Sequence, residues 1–244
     1  KIDSNQTLVQ SLLESDLLHY FISTVLMETN FGDFKIYAAE EIIYEVKEVN
    51  NEQEKIYKII QKEEILNVVD TIVKNPDLVV ELMFGEKNNI DYAKIFSNNS
   101  LVKGIKNSIL LKGSIANFII SMTEDEDMIV LPEGYGHPEN WLTNASGHSE
   151  IDILVDALNI LAFEKDSSGN STINLLLNAD IKLNSIMDLS NEFVSTAYTS
   201  NVLKYTISNL ITNDIENGDE KISFTIPYAS LEIKGAPTTK DNLF

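Results

Sequence analysis

One block of sixteen residues constrains this chain more than any other feature, because it is written three times. Leu8–Ser23 reads LVQSLLESDLLHYFIS, Leu101–Ala116 reads LVKGIKNSILLKGSIA, and Phe193–Ser208 reads FVSTAYTSNVLKYTIS. Aligned without gaps, the three share Val9, Val102 and Val194; Ser15, Ser108 and Ser200; Leu18, Leu111 and Leu203; and Ile22, Ile115 and Ile207. The serines stand 93 and then 92 residues apart. A chain that reuses one template at a nearly constant period is expected to reuse one packing solution, since every copy must bury the same apolar stripe.

In the middle copy that stripe is Val102, Ile105, Ile109 and Ile115, extended by Phe118 and Ile119, and its spacing predicts a long amphipathic helix through the serine. The serine is expected inside the helix, its hydroxyl bonded back to a carbonyl one turn earlier. A second block recurs once. Glu64–Ile72 (EILNVVDTI) matches Glu150–Leu158 (EIDILVDAL) at Glu64/Glu150, Ile65/Ile151, Val69/Val155 and Asp70/Asp156. Ile151, Leu154, Val155, Leu158 and Leu161 follow helical spacing, Ser149 is placed to N-cap, and Glu150 and Asp152 suit the dipole of a first turn. Asn75-Pro76 and Ser167-Ser168-Gly169 are stop signals.

Between the helical blocks lie β-prone runs at Phe34–Ala38, Met128–Leu131 and Ile222–Ile226. Pro132 and Pro227 close the second and third, having no N–H to extend a ladder, while Ala38 takes that place in the first. The fold class that emerges is α+β, mainly helical: a tandem repeat of about 92 residues, each unit a long helix, a short strand and a second amphipathic helix. Unit one covers 1–75 and is N-terminally incomplete. Unit two covers 76–166 and is complete, with a loop insertion at 133–148. Unit three covers 167–244 and is C-terminally incomplete. Lead-in segments at Ile90–Phe96 and Leu183–Leu189 share a looser apolar pattern. Faces buried across unit boundaries are expected, and the start at Lys1 without Met reads as a segment of something longer.

Charge narrows the function classes. Eighteen Lys plus Arg against 38 Asp plus Glu give a net charge of −20, which repels phosphate backbones and anionic membrane surfaces. Nucleic acid is therefore not an expected partner, and no apolar run reaches the roughly 18–20 residues of a membrane span. With no cysteine there is no disulfide, no thiolate metal site and no cysteine nucleophile.

Candidate chemistry is sparse. The acidic run Glu124–Asp127 lacks the spacing of a calcium loop and reads as a solvated connection. The loop Gly134–Trp141, continuing to His148, is richer: Tyr135 and Trp141 could stack on a sugar, and His137, His148 and Glu139 could meet a metal. Its His-x(10)-His spacing fits no zinc signature, so no metal and no cofactor is assigned, and aromatics covering the core are expected. Tyr135, His137, Trp141 and His148 are the candidate ligand-binding residues. His19 aligns with Lys112 and Lys204 and is expected on an exposed helix face. The three serines have no Gly-x-Ser-x-Gly setting and no recurring His or Asp, and Glu64 and Glu150 belong to different units, so no catalytic residue is assigned.

The combination of Ser200–Ser208, Phe224–Pro227 and Glu150–Leu158 resembles repeat modules of large surface proteins of low-GC Gram-positive bacteria. Ala38, where that pattern has proline, departs from it. The resemblance implies an extracellular or cell-wall-associated segment, structural or adhesin-like, whose partners are neighbouring repeat units of the same chain and an unknown protein or glycan. A glycan- or peptide-binding module using the Tyr135–His148 loop is the alternative expectation. A carboxylate-dependent hydrolase, needing two convergent acids, comes last.

Overall fold

Each serine block breaks at its serine instead of running through it. The structure is a computed structural model that describes residues 2–28, 43–50, 53–86, 89–121, 131–136, 138–142, 149–178 and 189–206. Helix α1 (Ile2–Leu13) gives way to α2 (Asp16–Glu28) at Ser15. A hairpin of β1 (Ile43–Asn50) and β2 (Gln53–Ile60) leads to α3 (Lys62–Lys74), α4 (Pro76–Phe84) and the short α5 (Tyr92–Phe96). Helices α6 (Asn99–Lys106) and α7 (Ile109–Ser121) meet at Ser108. A 3-10 turn at Pro138–Trp141 precedes α8 (Glu150–Phe163), α9 (Thr172–Asn178) and α10 (Asn191–Ala197), and helical residues 201–206 follow Ser200. The protein is thus mainly helical with a small antiparallel sheet.

The three breaks use the same backbone bonds. The N–H groups of Ser15, Ser108 and Ser200 donate to the carbonyls of Leu12, Ile105 and Ala197 at 3.2, 3.2 and 3.1 Å. Their own carbonyls accept from His19, Lys112 and Lys204 at 2.8, 2.9 and 3.0 Å. The serine closes one helix with a three-residue turn and opens the next. This corrects the single long helix expected from the apolar stripe: periodicity carries through the junction, but a serine favours a cap over a helix interior.

A hairpin or small sheet fits the α+β expectation, but the sequence reading placed no strand at 43–60. The hairpin's register runs from Ile43 opposite Ile60 to Asn50 opposite Gln53. Charged residues at Glu45, Lys47, Glu54 and Lys58 hide the strand signal, yet they face one another across the ladder: Glu45 stands opposite Lys58, and Lys47 pairs with Glu54 at 3.1 Å. Helix α2 satisfies the end of β2. The Ser23 hydroxyl accepts from the Ile60 N–H at 2.9 Å, and His19 Nε2 lies 2.5 Å from the Ile60 carbonyl oxygen. His19 is therefore buried, not exposed as expected, because a strand end needs its polar groups paired. Of the three expected strands, Phe34–Ala38, Ile222–Ile226 and residues 128–130 lie outside the described residues; Leu131 is described and carries no strand.

One apolar cluster runs from Leu13 to Val202, through Ile65, Leu101, Leu111, Trp141 and Leu154. Helix α3 packs against α1 and α6, and α8 against α5, α6 and α10. Val102, Ile105, Ile115 and Ile119 are buried as their spacing predicts, as are Ile151, Leu154, Val155 and Leu161. Asparagines fasten α5 in place: Asn159 Nδ2 donates to the Phe96 carbonyl at 2.6 Å, Asn178 Nδ2 to that of Ile90 at 2.7 Å, and Asn174 Oδ1 accepts from the Ala93 N–H at 2.9 Å. Among the described residues no helix is long and apolar enough to cross a membrane.

Two local features are directly testable. A Cβ at Gly104 would lie 2.3 Å from Thr71 Oγ1, so this glycine lets α6 approach α3. Gly104→Ala should destabilise the fold by about 1–3 kcal/mol in chemical denaturation, despite alanine's better helix propensity, and Thr71→Ala should recover most of the loss. After α8 the chain turns at Asp166, whose carboxylate accepts from the Asn170 side chain and from the N–H groups of Asn170 and Ser168, with Gly169 at φ +85°. These bonds, the Asn170 amide first, hold the Asp166 carboxyl below the usual range. Since the folded value is depressed, the turn's contribution is present above the ordinary aspartate pKa and fades as pH falls through the folded one. An NMR titration should place Asp166 below a free aspartate, and Asn170→Ala should bring it back up.

Candidate functional site

Acids in the first turn of a helix ordinarily serve that helix's own dipole. Glu64 and Glu150 are spent on a different one. Helix α3 carries Glu64 into the α6–α7 junction, where its Oε1 accepts from the Ser108 hydroxyl at 2.6 Å and from the Leu110 N–H at 2.9 Å. Helix α8 carries Glu150 to the junction at Ser200. Its Oε1 accepts from the Ser200 hydroxyl at 2.5 Å and the Val202 N–H at 3.1 Å, and its Oε2 from the Asn201 N–H at 3.1 Å. The serine hydroxyls complete the circuit as acceptors, Ser108 Oγ from the Leu111 N–H at 3.1 Å and Ser200 Oγ from the Leu203 N–H at 3.0 Å.

All four side chains are buried; Glu150, Ser108 and Ser200 are 0% exposed. A buried carboxylate is tolerable only when its charge is answered, and here a helix N-terminus supplies oriented N–H donors while serine supplies a hydroxyl. Glu150 leaves the capping of its own helix to Ser149, whose Oγ accepts from the Asp152 N–H at 3.3 Å. Ser108 and Ser200 are thus not interior helix residues bonded to a preceding carbonyl, as the sequence reading had them. They are N-caps that also donate to a carboxylate from another helix. Lys106 to Asp156 at 2.7 Å and Lys112 to Asp152 at 3.0 Å tie α6 and α7 to α8 around the same region. Nearby, burial pushes the Tyr198 phenol up to about 12, so it stays neutral.

The first block has the backbone of the junction, and among the described residues no carboxylate meets it. Ser15 is exposed, and so are Leu8 at 58% and Leu17 at 75%, whereas Leu101 and Leu110 are 1% exposed and Phe193 and Val202 are 1% and 0%. Leu18, aligned with Leu111 and Leu203, is likewise exposed, while Leu111 is buried and Leu203 half-buried.

The loop residues singled out from the sequence separate. Trp141 is fully buried in the core, tilted against Tyr135 with ring centres 6.0 Å apart, and its Nε1–H donates to the Tyr135 carbonyl at 2.8 Å. It offers no open face for stacking on a sugar. Tyr135 is half-buried, and its hydroxyl accepts from Asn201 Nδ2 at 2.9 Å, linking the loop to the junction at Ser200. His137, His148 and Glu124–Asp127 lie outside the described residues. Among the described residues no three His, Asp or Glu side chains gather as a metal site would require. The Glu–Ser pairing was missed, although a signal existed: Glu64 and Glu150 open matching blocks, and Ser108 and Ser200 recur at one position of the other block, 44 and 50 residues on.

No family model matches the chain, and neither a curated protein nor a solved structure matches it.

Two junctions built alike give a sharp test. Glu150→Ala should lower unfolding stability by about 2–4 kcal/mol, since it removes a carboxylate and leaves two buried donors, the Ser200 hydroxyl and the Val202 N–H, short of an acceptor. Ser200→Ala should cost less in that background than in the parent chain. A double-mutant cycle returning strict additivity would show that the pair does not act as a unit.

Proposed function

We propose that the chain is a non-enzymatic, repeat-built segment of a bacterial cell-surface protein, a structural or adhesive array whose helical units share faces. The observation that carries this reading is the recurrence of one carboxylate-to-junction contact, from Glu64 to Ser108 and from Glu150 to Ser200, between blocks that also recur in sequence. Taken as units 1–75, 76–166 and 167–244, the chain places each of these contacts across a unit boundary. The uninterrupted cluster from Leu13 to Val202 supports a continuous stack over separate beads.

Several features favour a scaffold. The buried acids spend their lone pairs on holding helices together, and the aromatic residue best suited to a ligand, Trp141, is committed to the core. A net charge of −20 keeps an extended array soluble and self-avoiding. The extracellular or wall-associated location rests on the resemblance to Gram-positive surface repeats, and the partners in this reading are adjoining units and an unidentified protein or glycan.

Location is the discriminating test. Antibodies raised against the folded chain should label intact, unpermeabilised cells of the source organism, and brief protease treatment of those cells should remove the signal. Labelling confined to permeabilised cells would overturn the proposal.

A further inference from the structure

We infer that the exposed face of α1 and α2 is the receptor for a helix of the α3/α8 kind, one that opens with Glu-Ile and comes from a further unit of the same repeat. The inference rests on the repeat reading above, but the face itself is visible without it. Leu17, Phe21 and Val25 lie at successive fourth positions of α2 and are 75%, 62% and 44% exposed; Leu18 at 39% and Leu8 of α1 at 58% are exposed as well. Five large apolar side chains exposed on two packed helices are an expensive arrangement in water.

What covers such a face is answered twice within the chain. The counterparts of Leu8 and Leu17 are Leu101 and Leu110 in one block and Phe193 and Val202 in the other, all buried. The covering elements are α3, which packs on α6 and α7, and α8, which packs on α10. Both present the same first-turn glutamate to the serine of the junction. The occupant of the α1–α2 face is therefore defined chemically: its glutamate would accept from the Ser15 hydroxyl and the Leu17 N–H, and its isoleucine stripe would cover Leu8 and Leu17. Neither α3 nor α8 of a second copy is spare, because each already occupies its own junction, so the helix must come from an added unit.

The test extends the chain by one unit. Fusing a second copy of residues 94–185 ahead of Lys1 puts the added Glu150 fifty residues before Ser15, the separation that joins Glu150 to Ser200. In hydrogen exchange followed by NMR, the Leu17 amide should be protected at least about tenfold more than in the parent chain, and Glu150→Ala in the added copy alone should abolish the gain. As a second arm, a peptide spanning Ser149–Glu164 should bind the parent chain saturably. Leu17→Asp, a change at an exposed site, should weaken it by about tenfold or more. Unchanged Leu17 exchange in the fusion would overturn the inference. So would peptide binding indifferent to Leu17→Asp, or self-association of the parent chain that this variant abolishes while the fusion shows no protection. Surface labelling of cells bears on none of these results, so the two proposals can fail separately.

Discussion

A buried carboxylate placed against the N-terminus of another helix is the contact on which the rest of this structure depends. It is a costly group to bury, and it becomes favourable only when the facing helix starts at the right residue, with its first amides unpaired and a serine hydroxyl at hand. That requirement fixes where α7 and the helical residues after Ser200 begin, at breaks whose backbone turn the Ser15 block forms as well. It also fixes the approach of α3 to the α6–α7 pair and of α8 to α10, since a shift of about one turn would strand the charge. Apolar packing supplies most of the burial, but it is tolerant of sliding. The carboxylate is not.

Seen this way, specificity and stability are divided between two kinds of residue. Leu101, Ile105, Leu110 and Phe193 give the area, while Glu64, Glu150 and the serines give the register. Gly104 against Thr71 sets how near α3 and α6 can come, and the asparagines at 159, 174 and 178 hold α5 by its backbone. Lys106 and Lys112, two of 18 lysines set against 38 acids, are spent on Asp156 and Asp152 of α8. The same design read at the first serine leaves Ser15, Leu8 and Leu17 open to solvent.

Much of this was legible in the sequence, and what was not failed for physical reasons. The helical stripes of the middle block and of Glu150–Leu158 were readable, because burial imposes a 3.6-residue period that no other constraint imitates. Ser149 as a cap and the stop at Asn75-Pro76 followed from local backbone chemistry. The breaks at Ser15, Ser108 and Ser200 were not, since an apolar period survives a break of two or three residues, and the partners of Ser108 and Ser200 lie 44 and 50 residues away. The β1–β2 hairpin hid behind its charged faces, and His19 behind the lysines with which it aligns; in both, a tertiary contact to Ile60 decided the outcome. Trp141 was correctly expected to cover the core, a reading that leaves Tyr135 as the described aromatic at that loop's surface.

The central claim is that each glutamate holds its own junction. Residue-resolved hydrogen exchange on Glu150→Ala tests it most directly. The account predicts that the Asn201 and Val202 amides lose protection together with α10, while the Leu110 amide, still bonded to Glu64, keeps its own. Equal loss at both junctions, or unchanged protection at Val202, would contradict it.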